Sequence, residues 1–233
     1  MAVVADDALI ARLESQTMDG TGPLRVAGSI LRAPGALVRE VGAERNVLSH
    51  AASLLAIAVA LSAAYGAVLA MYAHAWWAVA KIPIVVVGSV LLCTPTLFVF
   101  NALGGSRLTY LQTATLGLLA AATLSMILVG IAPIAWFFGV STESFGFMTV
   151  LHAAAFAIGT GFGLRALGWA RRYLAHLCGS EAVGPGVLAL WSMLVIVVGL
   201  QMAHYLRPIL LPGPFQRADP RGVFLEFVVA LVR

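Results

Sequence analysis

The sequence predicts an all-α polytopic membrane protein, a transmembrane helical bundle of about five spans led by an N-terminal amphipathic interfacial helix. Five apolar stretches, Val47–Tyr72, Ile82–Leu103, Leu108–Phe138, Phe145–Ala170 and Val187–Tyr205, each reach the ~20 residues a helix needs to cross a hydrocarbon core. The 233 residues are 61% hydrophobic and 10% charged, against ~25% charged in an ordinary soluble domain. In lipid every backbone N–H and C=O must be satisfied internally, so the stretches are helices and the loops lie at the two surfaces. The chain divides into a lead-in over 1–46, the bundle over 47–205 and a basic, proline-containing tail over 206–233, with no room for a second folded domain.

The lead-in opens with Asp6, Asp7, Glu14 and Asp19 and lacks the basic start and short apolar core of a signal peptide, so no cleavage is expected. Its most patterned part is Leu24–Val41. At ~100° per residue Arg25, Arg32 and Arg39 share one stripe, and Val26, Ile30, Leu37 and Val41 gather opposite. This predicts an interfacial helix whose arginines meet anionic headgroups, each contributing about 1 kcal/mol near the lipid plane. A helix that caps the bundle or binds a partner is the alternative. Pro34 removes a backbone donor mid-segment, so two short helices should meet at Ala33–Pro34.

The second span opens with Lys81-Ile82-Pro83 after Trp76 and Trp77, which predicts an interface anchor with the lysine reaching water. Thr94-Pro95-Thr96 predicts a mid-span kink, because proline frees a carbonyl that threonine hydroxyls help to satisfy. Asn101, Gln112 and His152 are costly against lipid and should face the bundle interior. His152 reads as an interhelical hydrogen-bond partner. No span carries an Asp or Glu at its centre, which weighs against an ion-coupled transporter.

The run Gly159-Thr160-Gly161-Phe162-Gly163 follows no strand and lacks the spacing of a phosphate loop. Gly159, Gly161 and Gly163 are read instead as a close helix contact, as are Ala120–Ala122 and Ala153–Ala155. Cys93 and Cys178 stand far apart and read as small packing thiols rather than a disulfide or a metal pair.

Arg12, Arg25, Arg32, Arg39 and Arg45 precede the first span, whereas the loop Gly139–Ser144 carries Glu143 and no base. The amino terminus is therefore expected in the cytoplasm, together with the loops holding Gly104–Arg107 and Arg171, Arg172 and Glu181. Five spans then put the tail outside, although Arg207, Arg217, Arg221 and Arg233 run against the charge rule there. Val223–Val232 is too short to cross and predicts a short surface helix.

The chemistry of catalysis is sparse. His50, His74, His152, His176 and His204 lack the spacing that puts two ligands on one helical face. There is no G-x-S-x-G and no carboxylate pair in the bundle, and Ser141-Thr142-Glu143 reads as a turn or cap. The expectation is no enzyme, no cofactor, no metal and no nucleic-acid partner.

A basic amphipathic lead-in with a central proline (Ile30-Leu31-Arg32-Ala33-Pro34), five spans, a Lys-x-Pro opening the second and a Gly104-Gly105-Ser106 turn before the third together resemble the bacterial members of the Yip superfamily of five-helix membrane proteins. The likeness covers most of Leu24–Tyr205 and is one of architecture. It implies a non-catalytic membrane organiser and brings no catalytic residues. Two function classes remain. The first is an adaptor or accessory subunit of the bacterial inner membrane, contacting anionic lipid, other membrane proteins or copies of itself through Arg25, Arg32, Arg39 and Lys81. The second is a small permease or channel with Thr94, Thr96, Asn101, Gln112 and His152 along a polar path. An odd span count without internal repeat favours the first.

Overall fold

The computed structural model describes residues 20–73, 76–142, 144–177 and 185–206, and among these all regular structure is helical. The helices are α1 (Pro23–Arg32), α2 (Pro34–Gly42), α3 (Val47–Ala73), α4 (Ala78–Leu103), α5 (Tyr110–Ser141), α6 (Phe145–Leu177) and α7 (Pro185–Leu206). Five of them, α3 to α7, are long and apolar enough to cross a bilayer, so the chain is an integral membrane protein. The expectations for Met1–Asp19, Glu143, Cys178, Glu181 and Val223–Val232 fall outside the described residues.

Local chemistry sets the element ends. Thr109 and Gln112 form a reciprocal capping box at the start of α5: the Gln112 N–H donates to Thr109 Oγ1 at 3.3 Å and the Thr109 N–H donates to Gln112 Oε1 at 2.8 Å. Gly105 supplies the positive φ, +79°, that the tight turn before it requires. Pro34 splits the lead-in at Ala33 into α1 and α2, as its missing donor demands. In α4 the helix runs on through Pro95, and the Thr94 hydroxyl donates to the Val90 carbonyl at 2.8 Å.

α5 is the centre of the bundle, packing most extensively on α3 and α6, while α4 lies against α3, α5 and α7. Small residues let the backbones close. A Cβ on Gly163 would sit 2.6 Å from the Ala120 carbonyl oxygen, and one on Gly159 would sit 3.3 Å from that of Leu124. Polar ties also cross between helices. Ser125 Oγ donates to Ala58 O at 3.1 Å between α5 and α3, and Tyr65 Oη shares a 2.7 Å hydrogen bond with His152 Nδ1 between α3 and α6. The fully buried Trp191 donates its indole N–H to Cys93 O at 2.9 Å, fastening α7 to α4.

The packing corrects several expectations. The apolar face of the lead-in rests on the bundle instead of lipid: Val26, Leu37, Val38 and Val41 are buried, Ser53 Oγ donates to Thr21 O at 2.6 Å and Gln112 Nε2 donates to Val41 O at 2.9 Å. α4 begins at Ala78, a turn before Ile82, so Lys81 lies inside the helix and is buried, not in water. α6 runs seven residues past Ala170 to Leu177, so Arg171 and Arg172 are helical, not loop residues. Ala120, Ala121 and Ala122 are all buried, but of the second triplet only Ala155 is, because the stripe that meets α5 passes through every third or fourth residue.

Candidate functional site

Consecutive spans run antiparallel, so the lead-in, the turn between α4 and α5 and the end of α6 meet at one end of the bundle. Sequence position alone then gathers Arg25, Arg32, Arg39, Arg45, Arg107, Arg171 and Arg172 there, with Arg165 further in along α6. The carboxylates described at this end are Glu40 and Glu44. Glu40 is engaged with the buried His50, Oε2 to Nε2 at 2.7 Å, a contact that ties α2 to α3. The other end is aromatic, with Trp76, Trp77, Trp136 and Phe137 exposed and Phe137, Phe138 and Phe147 in edge-to-face contact.

The arginine end opens into a cavity of about 1300 Å³. α6 and α7 are neighbours in sequence yet form no substantial interface, and the cavity lies between them against α5, beneath the α1–α2 cap. Its charged rim carries Arg107, Arg171, Arg172 and Glu44, and Arg165 lines it about two turns deeper, since Gly163 of the same helix packs on Ala120. Its wall is mostly apolar, with Leu119, Leu164, Trp169 and Leu188. It reaches Thr123, about 20 Å along α5 from Tyr110 at the helical rise.

Two lining side chains are held in an unusual state. Arg171 is only 8% exposed, and no hydrogen bond or ion pair joins it to another described residue. Asn101 is 1% exposed, and neither its amide nitrogen nor its amide oxygen has a partner among the described residues. Buried charges are ordinarily paired and buried amides hydrogen-bonded, because desolvation without compensation costs several kcal/mol. Arg171 thus brings an unpaired cation to the cavity wall, whereas both amide atoms of Asn101 are sealed from solvent.

The residues of the expected polar path are not brought together. Asn101 and Gln112 line this cavity, but Gln112 is spent on its capping box and on Val41. Thr94 bonds within its own helix, Thr96 is half-buried, and His152 is sealed against Tyr65 with its Nε2 buried and unpartnered among the described residues. Gly159 and Gly163 pack on α5 as expected, whereas Gly161 does not: a Cβ there meets nothing within 4 Å, and the residue lines the cavity. Arg25 and Arg32 stand exposed beside the exposed Leu24 and Leu31, a surface suited to the interfacial layer, and Arg39 is half-buried.

Sequence reasoning missed Arg171 as a cavity residue, the His50–Glu40 pair and Trp191. The spacing of Arg165 and Arg172, two helical turns apart, was the available signal for a second stripe on α6.

No family model, no curated protein and no solved structure matches this chain.

Proposed function

We propose that this protein is a non-catalytic membrane adaptor or accessory subunit of a bacterial inner membrane. Its arginine-bearing end then faces the cytoplasm and organises an anionic or acidic partner surface by contact. The observation that supports this is the gathering of seven arginines against two carboxylates at one end of the described bundle. An excess of arginine marks the cytoplasmic side of a spanning protein, and a basic face draws anionic headgroups and acidic surfaces within a Debye length. The docked lead-in makes that face a fixed part of the fold, since α1 and α2 are fastened through Thr21, Glu40 and Val41. The Yip-like order of parts belongs to the same proposal and adds the expectation of contact without catalysis.

The test is complementation of a deletion strain paired with recovery of co-purifying proteins from mild detergent. Arg32→Glu with Arg39→Glu should abolish complementation and lose the partners while leaving the protein in the membrane at normal level. Retention of both activities by the double variant would end the contact reading. Reporter fusions after Val41 and after Tyr205 should give opposite sides, and the same side for both would overturn the orientation.

A further inference from the structure

We propose that the cavity between α5, α6 and α7 seats one anionic phospholipid, its phosphate against Arg171 and an acyl chain along the apolar wall. The inference rests on the proposed contact function and names a ligand for the same end of the molecule.

The chemistry selects the class. A guanidinium offers a planar fork of donors that matches two oxygens of one phosphate. Arg171 is buried with no described partner, and Arg107, Arg165 and Arg172 line the same cavity. Against these stands Glu44. An anion is therefore favoured and a zwitterion is not.

The shape selects an amphiphile over a soluble phosphate ester. At about 1300 Å³ the space exceeds the ~300–1,000 Å³ of ordinary small-molecule pockets. It extends about 20 Å from the charged rim to Thr123, deeper than the ~15 Å of one leaflet's hydrocarbon, half of the ~30 Å core. Leu119, Leu164 and Leu188 line that depth. α6 and α7 share little packing along this space, and Gly161, exposed and without a side chain, lines it. Basic pockets between spans on the cytoplasmic side are places where anionic headgroups bind.

The experiment uses the full-length protein in detergent, with bound lipid counted by native mass spectrometry at matched concentrations of dioleoyl phosphatidylglycerol and dioleoyl phosphatidylcholine. Phosphatidylglycerol should bind one per chain and at least about tenfold more tightly than phosphatidylcholine. Arg171→Gln should weaken it by about tenfold or more, the scale expected when one partner of a buried charged contact is truncated. Gly161→Leu should weaken it comparably while the lipid-free melting temperature stays at the wild-type value, which separates a filled cavity from a damaged fold. Glycerol phosphate should fail to displace the lipid. Equal affinity for the two lipids, or full phosphatidylglycerol binding by Gly161→Leu, would overturn the proposal, and efficient displacement by glycerol phosphate would overturn its lipid half. Lipid binding measured in this way is independent of complementation, so its persistence after loss of the contact function, or the reverse, tells the two apart.

Discussion

α6 meets its two sequence neighbours in opposite ways. Toward α5 it presents Ala155, Gly159, Gly163, Leu167 and Ala170, all buried, and the backbones approach until a Cβ on Gly163 would strike a carbonyl. Toward α7 it presents Gly161, Phe162, Arg165, Trp169 and Arg172, and the helices part around a cavity. The difference lies in side-chain size and charge along two stripes of one helix. Between spans there is no hydrophobic force of the kind water supplies, so close approach depends on small residues that extend dispersion contact. The second face mixes Phe162, Arg165, Trp169 and Arg172 with Gly161 and Gly168, and α7 approaches it at Gly168, where an added Cβ would meet a Leu188 methyl at 3.0 Å. α7 must then find its partner elsewhere, and it does so through Trp191 on α4.

The contrast between the two faces is most vulnerable at that anchor. Trp191→Ala should cost about 3–5 kcal/mol, the range for emptying a buried tryptophan site. Because α7 packs chiefly on α4, the loss should appear as release of α7 before the rest unfolds. Limited proteolysis with thermal unfolding in detergent checks this, and concerted unfolding of all spans would contradict it. Trp191→Phe, which keeps most of the volume and removes the hydrogen bond to Cys93 O, should cost only about 1 kcal/mol.

Next in size is a difference inside one turn of α6. Gly163→Leu should destabilise by about 1–3 kcal/mol or more through overpacking against the Ala120 backbone, which cannot swing aside as a side chain would. Gly161→Leu should stay within about 0.5 kcal/mol of wild type, as expected where the new side chain meets open space. Melting temperatures of the pair measure the difference, and equal losses would erase the distinction between the two faces.

A smaller effect is expected at the hydrogen bond between α3 and α6. Tyr65→Phe strands the second nitrogen of a buried imidazole whose Nε2 already lacks a described partner, and should cost about 1 kcal/mol. Adding His152→Phe should recover part of that loss, since it removes the orphaned polar atoms along with the partner. A double-mutant cycle on unfolding reads the coupling, and strict additivity would show that the two groups are independent.

The smallest lies in the cap. Glu44 sits at φ +57° directly after α2, a left-handed position that glycine occupies without a Cβ penalty. Glu44→Gly should stabilise by about 0.5–1 kcal/mol, measured by thermal unfolding without lipid. A drop in stability would mean that the Glu44 carboxylate contributes more than its backbone costs.

Much of the fold was legible. The spans were visible to within about a turn at most ends because twenty apolar residues have one solution in lipid, and the break at Pro34 because proline has no N–H to give. Gly159 and Gly163, four apart, announced a contact face. Gly161 shared the same run but points the other way, since two residues along a helix turn the direction by about 200°. Lys81 was misplaced for a related reason: its neighbours Trp76 and Trp77 are exposed as interface residues should be, yet helix packing covers the lysine. Thr109-x-x-Gln112 is a capping box that could have been read from spacing alone.

Local periodicity and the lipid solvent are enough to dictate five membrane helices, a split amphipathic lead-in, an arginine-rich end and small-residue stripes, and all of these are written along the chain. The space between the helices belongs to the tertiary arrangement alone. Arg171 and Asn101 are 70 residues apart in the chain and come to one cavity because α5 separates α4 from α6 while α7 stands off from α6. Burial and the lack of a described partner are properties of that arrangement, summed over every neighbouring element. No spacing along the chain encodes them, since the space around a side chain is set by helices that are distant in sequence.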